Sequence, residues 1–274
     1  MISVIIPTLW RETLIATIES VDATLKEYNY EIVLIGEDNS MFDELKDKYP
    51  VKLILPEDAS SIGSKRRIGI ENAKYDNIAF LDDDDVWIVK YKKQQFEKYF
   101  SSGSKYKLSW GGIRLIKNGK HVGDRIEVPS NPRYDIWYYN FIPTSTIIVS
   151  KELIERVGNF DPRFKVMEDW DLNIRMLMFE KTELLPINEI VTTYTINPNK
   201  TKQRIKEFAD AYELLFSKYE KFSKDRCVYS FHKIRQNIMK GKYFSAIKYI
   251  YTPILCPHTI RVFIREFKNM ITFG

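Results

Sequence analysis

The chain has 274 residues, 44% of them hydrophobic and 29% charged, with a net charge of +5. That balance excludes a disordered or fibrous chain and leaves room for one large domain, or a domain with an appendage. Two cysteines without CxxC spacing, Cys227 and Cys256, exclude a disulfide-dense secreted scaffold, and no apolar run is long enough to span a bilayer.

The cysteine pattern predicts reduced thiols. The first seven residues lack the basic region and the apolar length of a signal peptide, so the expected compartment is the cytoplasm. Charge is unevenly spread: residues 200–274 hold 16 Lys and Arg against 6 Asp and Glu, which leaves the first 199 residues net acidic. A basic tail suits an acidic surface, anionic lipid or nucleic acid, or is simply a solvated helix face.

In chain order, Ser3–Pro7 is an apolar strand closed by proline. A helical pattern follows from Glu12 to Leu25, with Leu14, Ile15, Ile18, Val21 and Leu25 on one face. Tyr30–Ile35 is a second buried strand ending in Gly36-Glu37-Asp38, and Val51–Leu55 a third. Ile62–Ala73 is a glycine-punctuated helix leading into the apolar run Ile78–Leu81. Strand, helix and strand in alternation predict a doubly wound, mostly parallel α/β sheet. Its strand ends gather Pro7-Thr8, Glu37-Asp38 and Asp82–Asp85 on one rim, where open sheets of this kind bind ligands.

The run Ile78–Leu81 stops in four consecutive carboxylates, Asp82-Asp83-Asp84-Asp85. Adjacent acids repel one another, so a hard divalent cation is the expected partner; the alternative is a hydrated acidic loop. Side-chain alternation sets Asp82 and Asp84 on one side, Asp83 and Asp85 on the other. Neither GxGxxG nor GxxxxGK[ST] occurs, so a nucleotide's phosphates need another holder. A metal helped by Lys65, Arg66 or Arg67 would serve, unless that basic run is only a solvated helix face.

Tyr91–Phe100 reads as a helix, and residues 105–128 as strands broken at Gly111-Gly112 and at the hairpin signal Asn118-Gly119. Here regular alternation gives way to mixed, partly antiparallel structure. Phe141–Val149 ends in a short strand, Lys151–Val157 is a helix and Gly158–Pro162 a turn. Val166–Leu172 opens a helix to about Phe179, with Trp170, Ile174, Leu177 and Met178 at core spacing. Its acids Glu168, Asp169 and Asp171 complement a helix dipole, and the same geometry presents Asp169 as a general base. After a strand at 190–196 the chain turns helical and basic, with apolar stripes at Ile205–Phe222 and Ile260–Met270.

Over about residues 1–200 these motifs resemble the family 2 inverting glycosyltransferases of the GT-A fold: Ser3–Thr8, Glu31–Ser40, Ser61–Ala73, Phe80–Trp87, and Gly158–Asp161 followed by Glu168–Leu172. The resemblance implies a catalytic domain over 1–199, with a nucleotide-binding half at about 1–100 and an acceptor-side half at about 101–199. A helical extension follows over 200–274. It also implies roles: Asp38 reads the nucleobase, Arg66 lies near the ribose and diphosphate, Asp84 ligates the metal, Asp82 reaches the ribose or metal, and Asp169 is the base. Pro7, Thr8, Trp10, Arg11, Glu37 and Asp83 complete the expected donor site, with Glu168, Trp110 and Asp85 on the acceptor side. The implied cofactor is a divalent ion, Mn or Mg. The implied partners are a nucleotide-sugar donor, a UDP-sugar by preference, and a glycan or lipid-linked glycan acceptor, with peripheral contact to anionic membrane and no nucleic acid. Three departures stand out: Leu9-Trp10 where the family often has Tyr-Asn, Arg67 for a usual Asn, and Tyr194–Asn197 for a Tyr-Arg-x-His segment.

Two other classes fit parts of the pattern. A sugar-nucleotide-forming nucleotidyltransferase shares the sheet and the acids but needs a Gly-rich loop after the first strand, and Pro7–Arg11 has no glycine. A non-catalytic membrane- or polyanion-binding module suits the basic tail but gives Asp82, Asp84 and Asp169 no role.

Overall fold

The computed structural model describes residues 1–57, 61–196 and 205–249. The chain divides into two compact units, Met1–Pro132 with Phe141–Asn197, and Arg133–Asn140 with Pro198–Gly274.

In the first unit, β1 (Ile2–Pro7), β2 (Tyr30–Ile35), β3 (Val51–Ile54) and β4 (Asn77–Phe80) run parallel in the order β3-β2-β1-β4. β1 is buried along its whole length, which is why it reads as a continuous apolar run rather than an alternating one. Helix α1 (Thr13–Leu25) turns Leu14, Ile18, Val21 and Leu25 into the core beside Ile2, Val4 and Ile6. Ile15, expected on that face, is instead 44% exposed. Helix α2 (Met41–Lys46) precedes β3, and α3 (Ile62–Glu71) packs on β1 and β2. Gly69 makes the α3 contact possible: a Cβ there would lie 2.5 Å from Ile5 Cγ2 and 2.8 Å from Ile35 Cδ1.

After β5 (Val86–Trp87) and α4 (Val89–Ser101) the alternation breaks, as the sequence pattern predicts. The elements β6 (Lys107–Ser109), β7 (Gly112–Lys117), β8 (Lys120–Arg125), α5 (Pro132–Asp135), β9 (Ile148–Ser150), α6 (Lys151–Val157), α7 (Glu168–Met178), β10 (Glu183–Leu184) and β11 (Ile190–Thr195) complete this part of the chain. β9 joins the main sheet antiparallel to β4 and β6, giving seven strands in the order β10-β6-β9-β4-β1-β2-β3. A second sheet, β5-β11-β7-β8, carries the hairpin turned at Asn118-Gly119. In α7, Trp170, Ile174 and Leu177 are buried, whereas Met178, expected with them, is 37% exposed.

The second unit holds α8 (Ile205–Lys218), α9 (Glu220–Lys224), α10 (Arg226–Met239) and α11 (Tyr243–Ile247). The long stripe read as one helix is interrupted at Tyr219, whose extended backbone precedes α9. Within this unit His232 is fully buried against Tyr212, Phe216 and Phe231, with Nε2 2.6 Å from the Trp137 carbonyl; burial pulls its pKa down to about 3. It is a structural histidine. Cys227 is disulfide-bonded rather than reduced, which corrects the thiol expectation and removes its bearing on compartment. Cys256 and the stripe Ile260–Met270 lie outside the described residues.

Candidate functional site

The carboxyl ends of β1, β2 and β4 meet as the α/β pattern requires. Beyond β4 the four acids form a turn closed by Asp85 N donating to Asp82 O at 3.1 Å. Burial alternates through it: Asp83 and Asp85 are 3% and 1% exposed, whereas the side chains of Asp82 and Asp84 are 25% and 23% exposed. Only Asp82 and Asp84 reach the rim.

Asp83 faces inward. Its Oδ2 accepts from Leu9 N at 2.8 Å and Thr8 Oγ1 at 3.2 Å, and its Oδ1 accepts from Arg11 Nη1. Both oxygens of Asp83, expected at the donor, are therefore engaged by the loop after β1. Thr8 Oγ1 also accepts from Trp10 N at 2.8 Å, and Trp10 adopts a left-handed backbone, φ 58°. The indole Nε1 donates to the Glu37 carbonyl at 2.8 Å, so Trp10 bridges the ends of β1 and β2 beside exposed Glu37 and Asp38. Lys65 Nζ donates to Thr8 O at 3.3 Å, which brings α3 to the same loop.

Arg66 links the two acidic motifs. It is 3% exposed; Nη2 donates to Asp82 Oδ1 at 2.7 Å and Nη1 to Glu168 Oε1 at 3.0 Å, while Nε is buried with no hydrogen-bond partner. Asp82 and Glu168 are 86 residues apart in sequence, and one guanidinium fork spans them. Met167, at φ 64°, turns the chain abruptly into α7 and sets Glu168 and Asp169 at its first turn. Burial, then the charge of Asp169, pushes Glu168 up to about 7 against the pull of Arg66. Burial likewise raises Asp169, with Arg66 opposing. The Asp169 carboxylate accepts from Trp170 N at 2.8 Å and Thr144 Oγ1 at 3.4 Å.

A single 3-10 turn, Thr144–Thr146, ties the acid cluster to α7, and sequence reasoning did not single it out. Ser145 Oγ donates to Asp85 Oδ2 at 2.5 Å and accepts from Asp82 N at 3.3 Å, while Thr144 reaches Asp169. From behind, Lys92 Nζ and Gln95 Nε2 donate to Thr146 O at 3.0 and 2.9 Å, and Trp87 Nε1 to Ser145 O at 3.1 Å. Lys92 is fully buried, which lowers its pKa well below the usual lysine value. The available signal was three consecutive small hydroxyls between two apolar segments.

The three residues expected on the acceptor side all lie inside the fold. Asp85 accepts from Ser145 Oγ and, at 3.0 Å, from Thr195 N; burial raises its pKa far above a normal carboxylate, so it is an internal strut. Trp110 is fully buried, packs on Phe141 at 5.8 Å and donates to Glu127 O at 3.0 Å, so it belongs to the core. Glu168, 6% exposed, pairs with Arg66.

Among the described residues no group of three or more His, Cys, Asp or Glu could hold an ion alone. Asp82 and Asp84, the two rim carboxylates, are the residues that would hold a hard divalent cation, with water and phosphate oxygens completing its shell.

The model of Glycosyl transferase family 2 matches residues 3–141, just over half the chain. The amylovoran biosynthesis glycosyltransferase AmsB of Erwinia amylovora is 27% identical over 63% of this chain and 62% of its own length, so the match spans less than two thirds of that relative. The Escherichia coli UDP-Glc:alpha-D-GlcNAc-diphosphoundecaprenol beta-1,3-glucosyltransferase WfgD is 23% identical over 78% of this chain and 85% of its own. Crystal structures of S. aureus TarS 1–349 share the fold at 14% identity. One, covering 86% of this chain and 71% of that one, has a TM-score of 0.60; another, in complex with UDP-GlcNAc and covering 92% and 90%, has 0.54. Matched through the first strand, the β2 rim, α3 and the acid cluster, the chain belongs to glycosyl transferase family 2.

Proposed function

We propose that this protein transfers a sugar from a nucleoside-diphosphate sugar, a UDP-sugar by preference, to a hydroxyl of a glycan or lipid-linked glycan, with inversion and with a divalent ion. The observation that carries the reading is the Arg66 fork, which joins the rim acid Asp82 to the first turn of α7, where Asp169 stands beside Thr144. The TarS complex with UDP-GlcNAc and the name of WfgD support the donor class and a lipid-linked acceptor.

In this scheme Asp38 and Trp10 hold the nucleoside, and Arg66 and Lys65 offset diphosphate charge. Asp84 and Asp82 would hold Mn or Mg, which supplies Lewis-acid stabilisation of the leaving diphosphate. The Asp169 carboxylate takes the proton of the acceptor hydroxyl as its oxygen attacks the anomeric carbon. The new glycosidic C–O bond forms on the face opposite the diphosphate, whose C–O bond breaks with its electron pair. A raised Asp169 pKa makes the carboxylate a stronger base, while the Arg66 charge keeps it ionised enough to act.

The test compares donor turnover and acceptor transfer, with and without manganese, for the wild type and Asp169→Asn. The amide variant keeps donor affinity and loses about a hundred- to ten-thousandfold in kcat. Wild-type transfer by this variant overturns the assignment of the base.

A further inference from the structure

We propose that Arg11 is an internal counter-ion for Asp84, holding the carboxylate until a divalent cation displaces it. This rests on the reading of Asp84 as a cation ligand. Arg11 Nη1 is 3.1 Å from Asp84 Oδ2, and the same nitrogen donates to Asp83 Oδ1. The two carboxylates differ in burial and in partners. Asp83 is buried and also accepts from Leu9 N and Thr8 Oγ1, so it is fixed. The Asp84 side chain is 23% exposed and that of Arg11 30%, so their contact lies where solvent, and a solvated ion, can reach it.

One guanidinium thus has a permanent anchor and an exchangeable partner. A cation approaching Asp84 meets a positive group already paired with one oxygen and must overcome its charge. Released from Asp84, Arg11 keeps Asp83, so the exchange is a side-chain rotation that leaves the β1 loop in place. The same charge screens the four acids from one another when no ion is bound. Arg11 therefore tunes cation affinity downward, so that tight binding needs the added oxygens of a diphosphate.

The experiment measures Mn2+ binding without nucleotide, by titration calorimetry and by loss of the free-ion EPR signal, for wild type, Arg11→Met and Arg11→Met with Asp83→Asn. The double variant leaves net charge unchanged and keeps a side-chain acceptor for Leu9 and Thr8, so it carries the test if the single variant does not fold. Both variants should bind Mn2+ roughly three- to tenfold more tightly than wild type, the size expected for removing a competing part-exposed ion pair. Adding Asp84→Ala should abolish the gain. Equal or weaker binding by the variants, with measurable binding by wild type, overturns the role of Arg11 alone. No binding by any variant or by wild type, even with UDP present, overturns the cation reading and this inference together.

Discussion

Arg66 is the residue on which the two acidic motifs depend, and its fork geometry explains why a lysine would not substitute. A single ammonium cannot donate along two divergent lines to Asp82 and Glu168 from one buried position. Burial, with the charge of Asp169 beside it, outweighs the pull of Arg66 on Glu168, so folding holds its proton to about pH 7, whereas the unperturbed group ionises near 4.5. The folded state thus binds the extra proton in this window, and the contribution of Glu168 to stability falls as pH rises from 4.5 to 7. Relative to Glu168→Gln, which does not titrate, the wild type should lose on the order of 1–3 kcal/mol across that interval. Parallel denaturant melts at the two ends check this; parallel curves for both proteins would refute the proton assignment.

Among the elements, α3 does most to position the site, because it carries Arg66 and Lys65 over the ends of β1 and β2. Ser61 caps its first turn, its side chain accepting from Ser64 N at 3.1 Å. Two glycines let it sit close: Gly69 against Ile5 and Ile35, and Gly63 against Glu168, whose Cγ would be 2.9 Å from an added Cβ. Gly69→Ala drives a methyl into strand side chains that are themselves fully buried, so the helix must lift. The expected cost is about 1–3 kcal/mol of stability. Because Arg66 rides on the same helix, kcat should fall with it; melting curves and turnover read the two effects separately. Retained activity at reduced stability would mean that the fork tolerates a helix shift. The 3-10 turn Thr144–Thr146 is the matching element on the other side, held by Lys92 and Gln95 and holding Asp85 and Asp169.

For the whole molecule, the division of charge is the feature the catalytic scheme leaves over. No helix among the described residues is long and apolar enough to cross a membrane. The excess of Lys and Arg over residues 200–274 nonetheless suits anionic headgroups, and a lipid-linked acceptor would give such contact a purpose. We therefore expect peripheral attachment at the cytoplasmic membrane face that weakens with salt, since exposed charges are screened within a Debye length. The full chain should sediment with anionic vesicles, and a chain truncated after Pro257 should do so less. Equal sedimentation of both with neutral and anionic lipid would leave residues 258–274 without a membrane role.

What the sequence determined by itself was local and periodic. The apolar runs at Ser3–Pro7 and Tyr30–Ile35 and the helix at Lys151–Val157 follow from hydrophobic spacing, which acts over a few residues. The family motifs are likewise short and carry their signal without tertiary contacts. Tertiary structure decided which acids reach the rim and which are internal. Asp83 and Asp85 look like Asp82 and Asp84 in sequence, yet the first pair is bound by Thr8, Leu9, Arg11, Ser145 and Thr195 from distant segments. Trp110 is core for the same reason: burial is a property of what packs around a residue, and nothing in its own neighbourhood states it. The pairing of Arg66 with Glu168, 102 residues away, and the strut from Lys92 to the Thr144–Thr146 turn are long-range hydrogen bonds. Spacing along one chain cannot reveal them, because their donors and acceptors become neighbours only after the sheet has formed.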